Sequence, residues 1–280
     1  MYKVVLVGIN NYANSPLRGC VNDADDVKNY LALQQGILDS EIVSLLDHDA
    51  TKHAIIDALQ QMIAGNEPGE NMLFHFSGHG TQIVSGSTTE PDGLDEVLCP
   101  VDFDWNKPHT AISDDELGRI LKSLPSGSTL TVVLDACHSG DAARELVAIR
   151  QPRFLTPPAD VSLRTTRMAG TLRKLARGDT ANSVVVSACE STETTADTEY
   201  DGRPNGAFTY NWLKALEAHP EASIEKLVVD VTIRLASFGT HPQLDAPSFL
   251  RTARFLGGIL AQEARSPSSH ALLRRGLKRS

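Results

Sequence analysis

Two segments of this 280-residue chain place a reactive side chain among small residues at the end of an apolar run. In one, Leu73-Phe74-His75-Phe76 leads into Ser77-Gly78-His79-Gly80. In the other, Leu130-Thr131-Val132-Val133-Leu134 leads into Asp135-Ala136-Cys137-His138-Ser139-Gly140. An imidazole beside a thiol supplies the base, or the ion-pair partner, that generates a nucleophilic thiolate. His79 and Cys137 are therefore candidates for base and nucleophile, provided the two runs are neighbouring strands ending at one edge of a sheet. Glycine lets a substrate approach the backbone closely. The N–H groups of Gly80 and Cys137 are then candidates for holding the oxyanion of an acyl-transfer intermediate. Taken singly, a cysteine at a strand end is usually core and His-Gly often marks a turn; their joint occurrence favours chemistry. His138 is a rival base, but as the direct neighbour of the cysteine it should point elsewhere. His75 reads as a hydrogen-bonded core histidine, and Cys99 and Cys189 as small apolar fillers.

The elements that must position these residues are legible from periodicity. Apolar runs predict strands at Tyr2–Gly8, Glu41–Leu46, Met72–Phe76, Thr129–Leu134 and Ser183–Ser187. Helical spacing covers Asn22–Gln35, Thr51–Ala64, Ser113–Leu124, Phe208–Ala218 and Ser223–Ser237. Ser113 with Glu116 three residues on is a capping-box pattern. Alternating strands and helices predict an α/β fold, a mainly parallel sheet covered by helices on both faces. Ligands of such sheets sit beyond the carboxyl ends of the strands.

Composition narrows the class. At 41% hydrophobic and 22% charged residues the chain has material for a sizeable core and is not largely disordered. A net charge of −9 argues against nucleic acid as a partner, since that needs a cationic face. The charge is uneven: residues 1–140 carry 7 basic and 20 acidic side chains, residues 141–280 carry 19 and 15. Four scattered cysteines do not make a disulfide framework. Without a membrane-length apolar stretch or a secretory leader pattern, the expectation is a soluble, cytoplasmic chain with no membrane partner. The organisation expected is a single domain over residues 1–262, with a basic tail at 263–280. Within it, 1–140 and 181–262 flank a linker or insertion at 141–180.

At this point the motifs resemble a known family. Arg18-Gly19-Cys20-Val21-Asn22-Asp23-Ala24, Phe76 to Gln82, Asp92 to Glu96 with Cys99-Pro100-Val101-Asp102, Ser113 to Leu117, Asp135 to Gly140, Ser187-Ala188-Cys189 and Gly206-Ala207-Phe208-Thr209 occur in the order found in caspase-like cysteine peptidases of the metacaspase type. The histidine precedes the cysteine by 58 positions, the caspase spacing and not the reversed order of papain. The resemblance implies a caspase-like three-layer sandwich around a six-stranded sheet, a monomer, and an endopeptidase acting through His79, Cys137 and a thioacyl intermediate.

Caspases that cut after aspartate carry Gln two residues before the cysteine; here that position is Asp135. On a strand, Asp135 and Cys137 point to the same side. A buried carboxylate there needs a cation, and the guanidinium of a substrate residue would serve. The resemblance adds Asp23 as a second acid of this pocket, S1, lined also by Cys20 and Ser77. Protein or peptide substrates cleaved after Arg or Lys are the expectation. As an isolated residue, apart from the resemblance, Asp23 reads first as an acidic side chain favoured in a first helical turn.

The family resemblance also implies calcium as an activator, on Asp95, Asp114 and Asp115. The expected further aspartate falls on Arg144, with Asp141 nearby, and a cation there weakens such a site. Capping and loop roles for these acids stand as the alternative, and no cofactor is required for the chemistry. The segment 141–180 corresponds to where family members are cut into subunits, and offers Arg150, Arg153, Arg164, Arg167, Arg173, Lys174 and Arg177. A charged cover over the site is the alternative for that segment. Two other function classes stand beside the peptidase: a non-catalytic caspase-like binding module, and a transpeptidase or amidase using the same thiol.

Overall fold

The computed structural model describes residues 3–84, 94–137, 151–158, 182–190 and 193–256. The first part of the chain runs β1 (Val4–Gly8), α1 (Cys20–Gln34), β2 (Ile42–Leu46), α2 (Lys52–Gly65), β3 (Asn71–Ser77), β4 (Gly80–Val84), β5 (Leu94–Leu98), β6 (Ile112–Ser113), α3 (Asp114–Leu121) and β7 (Thr129–Asp135). It continues with β8 (Gln151–Pro152), β9 (Ser183–Ser187), β10 (Ala196–Tyr200), β11 (Arg203–Gly206), α4 (Ala207–Ala218), α5 (Ile224–Arg234), β12 (Gln243–Asp245) and α6 (Ser248–Arg251).

The central sheet has six strands in the order β12-β9-β7-β3-β1-β2. All neighbours are parallel except the edge pair β12–β9. Side chains of a strand alternate between faces, and both faces here are dry. Val4 and Leu6 of β1 join the cluster formed by α1, α4 and α5, including Leu31, Phe208, Trp212 and Leu227. Val5 and Val7 join the opposite cluster with Ile55 and Leu59 of α2 and Leu117 and Leu121 of α3. This is the three-layer sandwich expected. Strands from both sides of residues 141–180 share its sheet.

Helix starts follow side-chain caps. Thr51, Ser113 and Ser223 each precede a helix and accept an N–H bond from the third residue on, Ala54, Glu116 and Lys226. Half of the expected capping box at Ser113 forms. The carboxylate of Glu116 pairs instead with Lys52 at 2.8 Å.

The parallel register sets the site. Ser77 of β3 pairs with Asp135 of β7. His79 and Cys137 each follow two residues later, so both leave the sheet at one level. Two small antiparallel sheets, β4-β5-β6 and β11-β10-β8, stand beyond this edge; neither was expected from the sequence. Residues 263–280 lie outside the described residues, as does 141–180 except 151–158. Among the described residues no helix is long and apolar enough to cross a membrane.

Gly8 closes β1 where α1 begins. A Cβ there would stand 2.5 Å from the Cys20 carbonyl oxygen, a backbone atom that cannot swing away. Gly8→Ala is expected to destabilise the fold by about 1–3 kcal/mol through overpacking, read as a lowered urea midpoint. An unchanged midpoint would show that α1 can shift freely on the sheet.

Candidate active site

Asp23, Asp135 and Asp197 converge beyond the sheet edge, and each is buried. Asp23 comes from the first turn of α1, Asp135 from the last residue of β7, and Asp197 from β10. Between them lies the guanidinium of Arg153, which is itself fully buried. Its Nη2 is 2.6 Å from Asp23 and 2.8 Å from Asp197, and its Nη1 is 3.0 Å from Asp135. Nε also donates to Asp197 at 3.0 Å, and Nη1 donates to the Ser77 hydroxyl at 2.7 Å. Cys20 lies in the same electrostatic neighbourhood and shares a side-chain hydrogen bond with Ser77. The four pocket residues expected from the sequence, Cys20, Asp23, Ser77 and Asp135, are therefore brought together.

Buried carboxylates need more than one cation, and the backbone supplies donors. Gly206 N–H donates to Asp23 at 2.9 Å. The Thr209 N–H and hydroxyl donate to Asp135 at 2.9 and 2.7 Å. Arg18 and Gly19 N–H groups, at the start of α1, donate to Asp197 at 2.6 and 2.8 Å. The Gly206-Ala207-Phe208-Thr209 motif thus serves two of the acids. Its glycine is obligatory, since a Cβ would stand 2.3 Å from Asp135 Oδ2 and 2.5 Å from the guanidinium. Burial pushes Asp23 up to about 6, against the pull of Arg153, with Asp135 adding to the rise. Arg153 is held firmly charged: its three acids and Cys20 outweigh desolvation.

The Arg153 backbone is gripped as well. Its carbonyl accepts N–H bonds from Gly80 at 3.1 Å and from Cys137 at 3.3 Å. These are the two donors singled out in the sequence. His79 packs against Tyr12, whose hydroxyl accepts the His79 N–H at 3.0 Å. The His79 Nε2 meets the Ser15 carbonyl at 2.7 Å. A carbonyl only accepts, so Nε2 carries the proton and Nδ1 keeps the lone pair. Nδ1 is buried with no partner among the described residues. Burial pulls His79 down to about 4, opposed by the Ser15 and Arg153 carbonyls.

Cys137 points elsewhere. Its Sγ lies 3.1 Å from Cys189 Sγ and accepts the Thr195 N–H at 2.5 Å. Burial, then the Cys189 contact, pushes its thiol up. Cys189 is buried as expected and is also a direct neighbour of the Cys137 thiol. Cys99 fits the filler reading, and all four cysteines are free. His75 is the core histidine expected, bonded to Thr209 at 3.3 Å. His138, Asp141 and Arg144 lie outside the described residues, as do the other linker cations.

Asp197, Ser15 and Arg153 were missed as site residues. Arg153 appeared only as one cation of the linker. Asp197 gave no local signal beyond an acidic residue among polar ones. Among the described residues no three carboxylate, imidazole or thiol groups are clustered to hold a metal ion. Asp114 Oδ1 accepts the Asp115 N–H at 2.8 Å, a helix-start contact. The rest of the expected calcium set, around Asp141 and Arg144, lies outside the described residues.

A family model described as metacaspase, peptidase C14 domain, matches residues 2–145. Metacaspase-1 of Mycosarcoma maydis is 30% identical over 284 residues, covering 87% of this chain and 70% of that protein. Metacaspase-1 of Cryptococcus neoformans is 31% identical over 287 residues, and the aligned part is 62% of that longer protein. Among solved structures, a Geobacter sulfurreducens protein superposes with a TM-score of 0.66 at 22% identity, covering 90% of this chain and 97% of that one. Caspase-1 from Spodoptera frugiperda gives 0.55 at 11%, covering 88% and 86%. These two likenesses concern the fold.

Burial keeps two histidines neutral, with His75 pulled down to about 3 and His79 to about 4. An unfolded chain binds both protons near pH 6.5 while the folded one resists, so stability falls as pH drops below 6.5. Asp23 acts in the opposite sense, because its folded pKa is raised to about 6. Two histidines against one aspartate leave a net loss from these groups. His75→Gln is expected to make the acid slope of stability shallower by about 1.4 kcal/mol per pH unit between pH 6 and 4. Urea titrations across that range check it, and an unchanged slope would refute a neutral buried His75.

Proposed function

Since the chain belongs to the metacaspase family of cysteine peptidases, we propose that it is an endopeptidase cutting after arginine or lysine through His79 and Cys137. One observation carries this reading. An arginine side chain fills the acidic pocket while its own carbonyl rests on the Gly80 and Cys137 N–H groups. A peptide bound in that manner presents the carbonyl carbon of a basic residue to the strand end that bears the thiol.

The chemistry follows from the residues. His79 is a neutral base whose Nε2–H is committed to Ser15, so Nδ1 receives the Cys137 proton once Sγ turns away from Thr195 and Cys189. The thiolate attacks the carbonyl carbon, and the two N–H donors tighten on the oxyanion as charge develops. The C–N bond then breaks, His79 returns its proton to the leaving amine, and a thioester remains. Water, deprotonated by His79, hydrolyses it and regenerates the thiol.

The pocket favours Arg over Lys within the basic class. A guanidinium reaches Asp23, Asp135, Asp197 and Ser77 together through its fork of donors, whereas an ammonium is a compact point charge. Short fluorogenic peptides with Arg, Lys or Asp before the cleaved bond are the test, with Cys137→Ala as the control. Arg peptides are expected to turn over about tenfold faster than Lys peptides, and Asp peptides not at all. Asp135→Asn is expected to lower kcat/KM for Arg by about 10²-fold, the scale for losing one partner of a buried charge pair. Turnover of the Asp peptide in place of Arg would overturn the reading.

A further inference from the structure

We propose that residues 151–155 are a resident peptide bound as a substrate, with Arg153–Phe154 as the bond presented for cleavage. The site then reads other proteins at the same positions, favouring Pro before the basic residue and an aliphatic side chain two residues after the cut. This rests on the peptidase reading above and extends it from one side chain to five.

The backbone contacts form two stretches of added strand that meet at the Arg153 carbonyl. On the amino side, Gln151 and Pro152 pair antiparallel with Asp197 and Ala196 of β10, and Arg153 N–H donates to the Thr195 carbonyl at 3.1 Å. On the carboxyl side, Phe154 bridges Gly80 in parallel fashion. Leu155 N–H donates to the Gly80 carbonyl at 2.9 Å, and the Thr81 hydroxyl donates to the Leu155 carbonyl at 2.8 Å. Between these stretches, the Arg153 carbonyl rests on the Gly80 and Cys137 N–H groups. Strand addition of this kind supplies sequence-independent affinity, and side chains at alternate positions supply selection.

Three positions select. Arg153 fills the acidic pocket. Antiparallel pairs alternate between bonded and non-bonded positions. Because Arg153 N–H bonds to Thr195, Pro152 falls at a non-bonded position opposite Ala196. A proline there forfeits no hydrogen bond and reduces the entropy lost on binding. Leu155 is half-buried against the core cluster that includes Phe74, Leu98 and Ile112, so an apolar side chain is favoured and a charged one disfavoured. Phe154 is also half-buried, but no contact of its ring argues for a preference there.

Filling the pocket in cis also bears on regulation. An outside peptide must displace Arg153 or follow its cleavage. The cut would form the Arg153 carboxylate and a free Phe154 amine, with one water consumed.

The test has three readings on the full chain. Mass analysis after incubation, with and without calcium, is expected to show a new terminus at Phe154 in the wild type and none in Cys137→Ala. A peptide containing Gln-Pro-Arg-Phe-Leu is expected to exceed its Asp-for-Leu counterpart in kcat/KM by about tenfold. In Arg153→Ala the three acids lack their cation, so agmatine is expected to raise its thermal midpoint and not that of the wild type. If short Arg peptides turn over but the chain is cut elsewhere or left intact, and both long peptides behave alike, this inference fails and the basic-residue peptidase stands. If no Arg peptide turns over and agmatine has no effect on Arg153→Ala, both fail together.

Discussion

Three buried aspartates around one buried guanidinium form the interaction on which the edge of this molecule depends. Placing three carboxylates out of water is strongly unfavourable unless each is paired and hydrogen-bonded. The structure meets that demand with Arg153 and with backbone donors from the starts of α1 and α4. Gly206 has to lack a side chain, because any Cβ would enter the space the guanidinium occupies. The small sheet of β8, β10 and β11 exists to bring Asp197 and Arg153 to this point. A pocket so built is incomplete without a cation, and Arg153 supplies it.

The Arg153 backbone also lies against the strand ends that carry His79 and Cys137. Once the guanidinium is seated, the Arg153 carbonyl falls on the N–H groups of Gly80 and Cys137, which follow directly from the level ends of β3 and β7. Ser15 sets the tautomer of His79, and burial keeps that ring neutral. Cys137 is turned to Thr195 and Cys189. On the proposed reading, recognition is ordered in this state and rotation of one thiol separates it from chemistry.

Much of the fold was legible. The strand at Ser183–Ser187 was expected with its observed limits, and the five helices expected from spacing formed within a few residues, because long periodic patterns have one favourable way to bury. The two small sheets were not expected. Their strands are short: β6 and β8 have two residues each, and β10 turns straight into β11 with Tyr200 opposite Arg203, so none carries a long apolar pattern of its own. The uneven charge also proved only partly informative. Asp23 and Asp135 come from the acidic half and Arg153 from the basic half, but the third acid, Asp197, belongs to the basic half too.

Sequence alone determined a mainly parallel sheet with helices on both faces and the His79 and Cys137 positions at its strand ends, since apolar periodicity is a local property of a chain. The company of Cys20, Asp23 and Ser77 with Asp135 was legible only through the family resemblance. Tertiary structure decided which of many cations fills the pocket, that Asp197 is its third acid, and where the thiol points. Those outcomes depend on register between segments tens of residues apart. The burial that makes a charge seek one partner over another exists only after the chain has closed around it.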